Sequence, residues 1–214
     1  MLIMTRPTRV LRTALAILAL SAPAALVVTV PATASAAADS AAMTAFKSRH
    51  QAVVKLVKAG ASEKKLEKEV DQLLDYQWLA QAALGGETNY AGACGAKCGE
   101  FDGLLTQLIR ENYLRLIRKA NKHEVTYVGE KTGKSGAVKI DTQITVTKNG
   151  RDQVVKVSYV MHQIGGQWQV RDMITDGVSI AKTYRFEFKK VLAKDGIDGI
   201  IARLKTKLDQ IGQA

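Results

Sequence analysis

The chain has 214 residues, 47% of them hydrophobic, and a formal net charge of +11 from 31 Lys and Arg against 20 Asp and Glu; it can bury one sizeable core, and it shows no internal repeat, low-complexity linker or domain boundary. Such a basic balance suits nucleic acid in a cytosolic protein, but no basic-aromatic stacking motif accompanies it, so nucleic acid is not expected as a partner. Anionic lipid surfaces and acidic patches on other proteins fit the charge better, and most of the lysines read as solvated surface.

Residues 1–36 read as a secretory signal peptide. Arg6, Arg9 and Arg12 form a basic start, Thr13 to Val30 is almost wholly apolar, and Pro31-Ala32-Thr33-Ala34-Ser35-Ala36 supplies small residues for a cleavage site. Cleavage after Ala36 and after Ala38 fit equally well. The apolar stretch is also close to the ~20 residues that cross a bilayer, so an uncleaved anchor is the alternative; Ser21, Pro23 and the Ala-rich end suit a peptidase better than a packed span. Cleavage removes three arginines and no acid, which lowers the net charge from +11 to +8. It leaves residues 37–214 as one exported, soluble domain.

Helices come next. Met43, Phe46, His50, Val53, Val54 and Val57 make one face of a first helix that ends at Gly60. Ser62 is placed to cap a second, carrying Leu66, Val70 and Leu73, and Asp75 a third, with Trp78, Leu79 and Ala82, closed by Gly85-Gly86. Gly86 to Gly99 reads as a Gly-rich loop holding Cys94 and Cys98. Phe101 to Lys122 is the longest helix; its broad apolar stripe, with Leu104, Leu105, Leu108, Ile109, Tyr113, Leu116 and Ile117, implies packing between two surfaces.

From His123 the period becomes two. Val125 and Tyr127, then Val138, Ile140, Thr142, Ile144 and Val146, then Val155, Val157, Tyr159 and Met161, then Trp168, Val170, Asp172 and Ile174 mark four strands. Lys148-Asn149-Gly150 and Gly165-Gly166 join antiparallel neighbours, and Asp176-Gly177 ends the last strand. A helix follows with Val178, Ala181, Tyr184, Phe188, Val191 and Leu192 on its apolar face; Gly196 stops it before a second amphipathic helix from Ile197 to Leu208. The expected fold is α+β, a curved four-stranded antiparallel sheet packed against amphipathic helices from both ends of the chain. Such layers can leave an apolar cleft between them.

The run Trp-x-Val-x-Asp from Trp168, Asp-Gly-Val-Ser from Asp176, Tyr-Arg-x-x-Phe from Tyr184, Gly-Ile-Asp-Gly-Ile from Gly196 and the following Leu/Lys-rich helix resembles the MlaC family, also called the toluene-tolerance or Ttg2D-type family. Leu74-Asp75-Tyr76, Ala80 and Leu84-Gly85 resemble that family's short helix and its Leu-Gly turn, whereas Gly86 to Gly99 departs from its pattern. The resemblance implies a soluble periplasmic phospholipid carrier with no cofactor, shuttling lipid in transient membrane-associated complexes. Its partners would be the lipid-binding subunit of an inner-membrane ABC transporter and an outer-membrane lipoprotein complex, and its role the maintenance of outer-membrane lipid asymmetry. Two alternatives are a periplasmic carrier of another apolar lipid, such as a hopanoid, and a non-carrier envelope protein that adheres through its basic face.

Under the resemblance, Leu105, Leu108, Tyr127, Ile140, Ile144, Val157, Tyr159, Met161, Trp168, Val170, Tyr184, Arg185 and Phe188 are the candidate pocket residues; taken singly, the inward apolar ones are better explained as ordinary core, and only the resemblance tips the group toward a pocket wall. Arg185 borders the apolar face of its helix. It could pair with Asp172 where strand turns into helix, or hold a lipid phosphate at the pocket mouth. In an exported chain Cys94 and Cys98 read first as a local disulfide; a metal site would need further ligands, and His50, His123 and His162 lie on separate elements. No nucleophile elbow, zinc-protease pair or phosphate loop is present, so no catalytic residue is assigned.

Overall fold

The computed structural model describes residues 38–120, 122–148 and 150–212; the expected signal peptide lies outside them, as does Asn149 of the first expected hairpin. α1 (Ala41–Lys58) starts where the Ser40 hydroxyl accepts from the Met43 N–H at 3.2 Å, and buries Met43, Phe46, His50 and Val53 at helical spacing. α2 (Glu63–Leu73) follows Ser62 and buries Leu66, Val70 and Leu73. α3 (Tyr76–Ala83) is capped by Asp75, whose Oδ1 accepts from the Trp78 N–H at 3.1 Å. Its Oδ2 accepts from Arg171 Nε at 2.8 Å, which ties this short helix to the sheet.

The stretch expected to be a Gly-rich loop is instead helical. α4 (Glu87–Cys94) and one tight turn over Gly95–Lys97 lead into α5 (Cys98–Ala120). Gly86 and Gly95, with φ of 103° and 53°, bracket α4, so these glycines end helices where a side chain would be strained. The Tyr90 hydroxyl donates to Asp102 Oδ2 at 2.6 Å, and a disulfide joins Cys94 at the end of α4 to Cys98 at the head of α5. The broad stripe of α5 buries Phe101, Leu105, Leu108, Ile109, Tyr113 and Ile117, and the helix packs against α1, α2, α3 and, most extensively, α6.

β1 (Val125–Thr132), β2 (Val138–Lys148), β3 (Arg151–Ile164) and β4 (Gln167–Thr175) form an antiparallel meander, extended by a short β5 (Val178–Ser179) in the order β1-β2-β3-β4-β5. The sheet therefore has five strands, not four. Asp176 and Gly177 take positive φ of 48° and 86°, and this two-residue turn folds Val178 back onto Thr175 before the helix begins.

Two bulges interrupt the pleat. Val128 is the extra residue on β1, and Arg171 the extra one on β4, where Met161 faces Val170 but Val160 faces Asp172. The expected alternation of Trp168, Val170, Asp172 and Ile174 thus breaks after Val170. One added residue reverses the faces: Met173 is buried at 4% exposure, and Ile174 is not.

α6 (Ile180–Gly212) begins at a set of caps. Asp172 Oδ1 accepts from the Ala181 N–H at 3.0 Å, its Oδ2 accepts from the Ser179 hydroxyl at 2.6 Å, and Ser179 Oγ accepts from the Lys182 N–H at 3.1 Å. Gly196, with φ of 66°, breaks α6 where the sequence places the boundary between two helices.

Candidate functional site

Most of the candidate pocket residues lie in the packed interior. Leu105, Leu108, Ile140, Ile144, Val157, Tyr159, Met161 and Val170 are all buried core residues. Phe46 reaches from α1 into this layer, 4.3 Å from Tyr159 and stacked on His50 at 5.2 Å between ring centroids. Tyr127, half-buried, hydrogen-bonds His50 Nδ1 through its hydroxyl at 2.9 Å. Burial, with no carboxylate to offset it, lowers the His50 pKa from 6.5 to about 4, so the ring is neutral at physiological pH. Burial likewise pushes the Tyr159 and Tyr113 phenols up. The Tyr113 hydroxyl is buried without a hydrogen-bond partner among the described residues.

The layers part on the other side of Tyr113. A groove of about 330 Å³ runs between α5, β4, β5 and the first half of α6. Ile109, Tyr113 and Leu116 line one side, Met173 and Thr175 the sheet side, and Ile180, Thr183 and Tyr184 the other. Its position follows from local structure. The bulge at Arg171 turns Met173 inward, and the two-residue β5 holds Val178 at the rim, 61% exposed. At the mouth, Lys207 Nζ pairs with Glu187 at 3.1 Å. The same two residues border a second groove of about 370 Å³ beside Phe188, Val191, Ala202 and Leu204, between the two halves of α6.

Of the candidates, Tyr184 lines the first groove and Phe188 the second, their rings 5.5 Å apart. Trp168 is half-buried on β4 and borders neither. Ile109, Leu116, Met173 and Val178 line the groove without having been candidates. Ile109 and Leu116 belong to the stripe read from sequence, but nothing in their spacing says which residues of that stripe face the opening.

Arg185 does not meet Asp172. Both carboxylate oxygens of Asp172 are engaged by the caps of β5 and α6, a stronger claim because the free N–H groups of a helix start have no other partner. Arg185 is exposed and borders two smaller depressions beside α3, lined by Trp78 and Gln81 on one side and Leu84 and Asn89 on the other. It stands on the opposite flank of α6 from the Tyr184 groove, so the head-group role has no support from this placement. Among the described residues, no group of three or more His, Cys, Asp or Glu side chains is placed to hold a metal ion.

The chain is similar to known proteins in both sequence and fold. The family model for MlaC protein matches residues 44–206. The toluene tolerance protein ttg2D of Pseudomonas putida is 38% identical over 45 residues, a match that spans 21% of this chain and 21% of that relative. A phospholipid-binding protein from Ralstonia solanacearum, solved in complex with a phospholipid, has the same fold: TM-score 0.63, 20% identity, covering 80% of this chain and 98% of that one.

Proposed function

The chain belongs to the MlaC family, and from that premise we propose that it is a periplasmic phospholipid carrier. In this reading the leader is cleaved after Ala36 or Ala38, and residues 37–214 form a single lipid-binding domain. The carrier takes lipid between the lipid-binding subunit of an inner-membrane ABC transporter and an outer-membrane lipoprotein complex, and so maintains outer-membrane lipid asymmetry. The observation that supports it most is the apolar groove between α5, β4 and α6, set in a fold that this chain shares with a phospholipid-binding protein.

Two long acyl chains hold on the order of 30 methylenes, and each contributes ~0.8 kcal/mol when removed from water. A carrier must therefore cover both chains almost completely. At about 30 Å³ per water-sized group, the Tyr184 groove takes only part of that load. The second groove adds comparable room, and the Glu187–Lys207 pair lies between the two. Parting that exposed pair joins them into one trough along α6, at little cost because surface ion pairs contribute about 1 kcal/mol or less. Lys207, released from Glu187, is then placed to meet a phosphate. Relative to a bilayer, burial of the chains is nearly neutral, so lipid exchanges at a docking site without chemistry by the carrier.

The test is organic extraction and lipid mass spectrometry of protein purified natively after export. One diacyl phospholipid per chain is the expected result. A polycyclic lipid would redirect the assignment to another carrier, and an empty, folded protein would overturn it.

A further inference from the structure

We propose that the outward face of the first half of α6 is a docking surface for an anionic lipid bilayer. This goes beyond carriage, which leaves open how the protein meets a membrane. Lys182, Phe186, Lys189, Lys190 and Ala193 follow one another at helical spacing on a single exposed face, with Arg185 on one shoulder and Lys194 on the other. Phe186 stands at the centre of that face and is 63% exposed, the most of any large hydrophobic residue among those described. Lys190 Nζ lies 4.1 Å from its ring centroid.

None of the five cations enters an ion pair among the described residues, whereas other cations of the protein, such as Arg110, Arg118 and Arg171, are held by carboxylates. Two acids neighbour the face. Glu187 is engaged by Lys207, and Asp195 sits at the helix break. The face therefore presents unneutralised positive charge around one aromatic ring.

That combination fits a bilayer better than an acidic protein. A stable protein interface needs roughly 800 Å² per partner with an apolar centre, and here the apolar centre is a single ring on a convex helix. A headgroup layer deforms around such a surface, pairs with each lysine and admits the ring to the acyl boundary. The geometry also serves transfer. Thr183, one position beyond Lys182, lines the apolar groove, and Val178 stands exposed at its rim, so the docking face and the groove adjoin on α6.

The test is co-sedimentation of the exported protein with vesicles of phosphatidylglycerol and phosphatidylcholine, against vesicles of phosphatidylcholine alone. The protein should partition onto the anionic vesicles at low salt and leave them at about 1 M salt, where screening shortens to ~3 Å. The triple variant Lys182→Ala, Lys189→Ala, Lys190→Ala should lose about 100-fold in partitioning, at about fivefold per cation, and Phe186→Ala about tenfold. Replacing Lys64, Lys65 and Lys68 of α2 by alanine removes equal charge from another exposed site and should change partitioning less than about threefold. The α6 triple variant should keep its bound lipid, since none of its replaced side chains lines the Tyr184 groove, so loss of docking and loss of carriage read out separately. Equal losses from the two triple variants would reduce the effect to net charge and overturn the proposal. So would an absence of partitioning at low salt, which would leave an acidic protein as the occupant of this face.

Discussion

Under β2 and β3 the side chains of sheet and helices fill the space between the layers, whereas along β4, β5 and α6 they leave a groove of about 330 Å³. The same helix, α5, serves both regions: Leu105 and Leu108 are enclosed in the first, and Ile109 and Leu116 line the second. The difference teaches that close packing and open space fall on different strands of one sheet. The filled side is paired over long strands, β2 with β3 along the whole of β2, while the open side ends in the two-residue pairing of β4 and β5.

The sharpest way to break this comparison is to cut into the filled side. Phe46→Ala should cost about 3–5 kcal/mol, as large-to-small changes of buried aromatics do, measured by urea unfolding; lipid per folded molecule should be unchanged. His50 gives the next effect, through pH. Its folded-state pKa of about 4 lies below the unfolded value of 6.5, so the unfolded chain binds more protons between those values. The stability associated with neutral His50 is fully present above pH 6.5 and falls away toward pH 4, by about 3 kcal/mol. His50→Gln should flatten the unfolding free energy across that window relative to the parent protein.

The α4–α5 bridge lies outside both regions and should affect stability alone. Cys94→Ser with Cys98→Ser should lower the unfolding free energy by about 2 kcal/mol in the chain-entropy picture of a short loop, with lipid content intact. The smallest change in stability, within about 0.5 kcal/mol as for other surface sites, is expected from Thr183→Trp, which places an indole in the open groove. That variant should lose most of its lipid in extraction and mass spectrometry, and so sharpens the contrast with Phe46→Ala.

The helices were legible because their apolar spacing and end signals are local: Asp75 caps α3 through its side chain, Gly196 breaks α6 by its positive φ, and Ser62 stands at the start of α2, although its side chain makes no capping hydrogen bond. What escaped sequence reading depends on partners distant in the chain. A two-residue β5 carries no period. The bulge at Arg171 adds a residue without a glycine or proline to mark it, so Ile174, grouped by period with Trp168 and Val170, lies on the other face and Met173 takes its place. Asp172 was matched to Arg185 by charge, but the N–H groups at the start of α6 and the Ser179 hydroxyl take its oxygens. The glycines around Cys94 suggested a loop because their role in stopping helices is visible only with their φ angles. Of the groove, Tyr184 was readable through its family motif, whereas Ile109 and Leu116 acquire their place from the packing of α5 beside α6 and the sheet edge, and Val178 from the turn into β5.

The most direct measurement is photo-crosslinking of the exported protein to a phospholipid carrying a photoreactive group midway along one acyl chain, with the labelled residues mapped by peptide mass spectrometry. Adducts on Ile109, Leu116, Met173 and Tyr184, lost in Thr183→Trp, are the predicted result. Stoichiometric labelling confined to the opposite face of the sheet, in the polar trough lined by Val128, Gln143 and Lys156, would contradict the assignment of the ligand to the α5–α6 side.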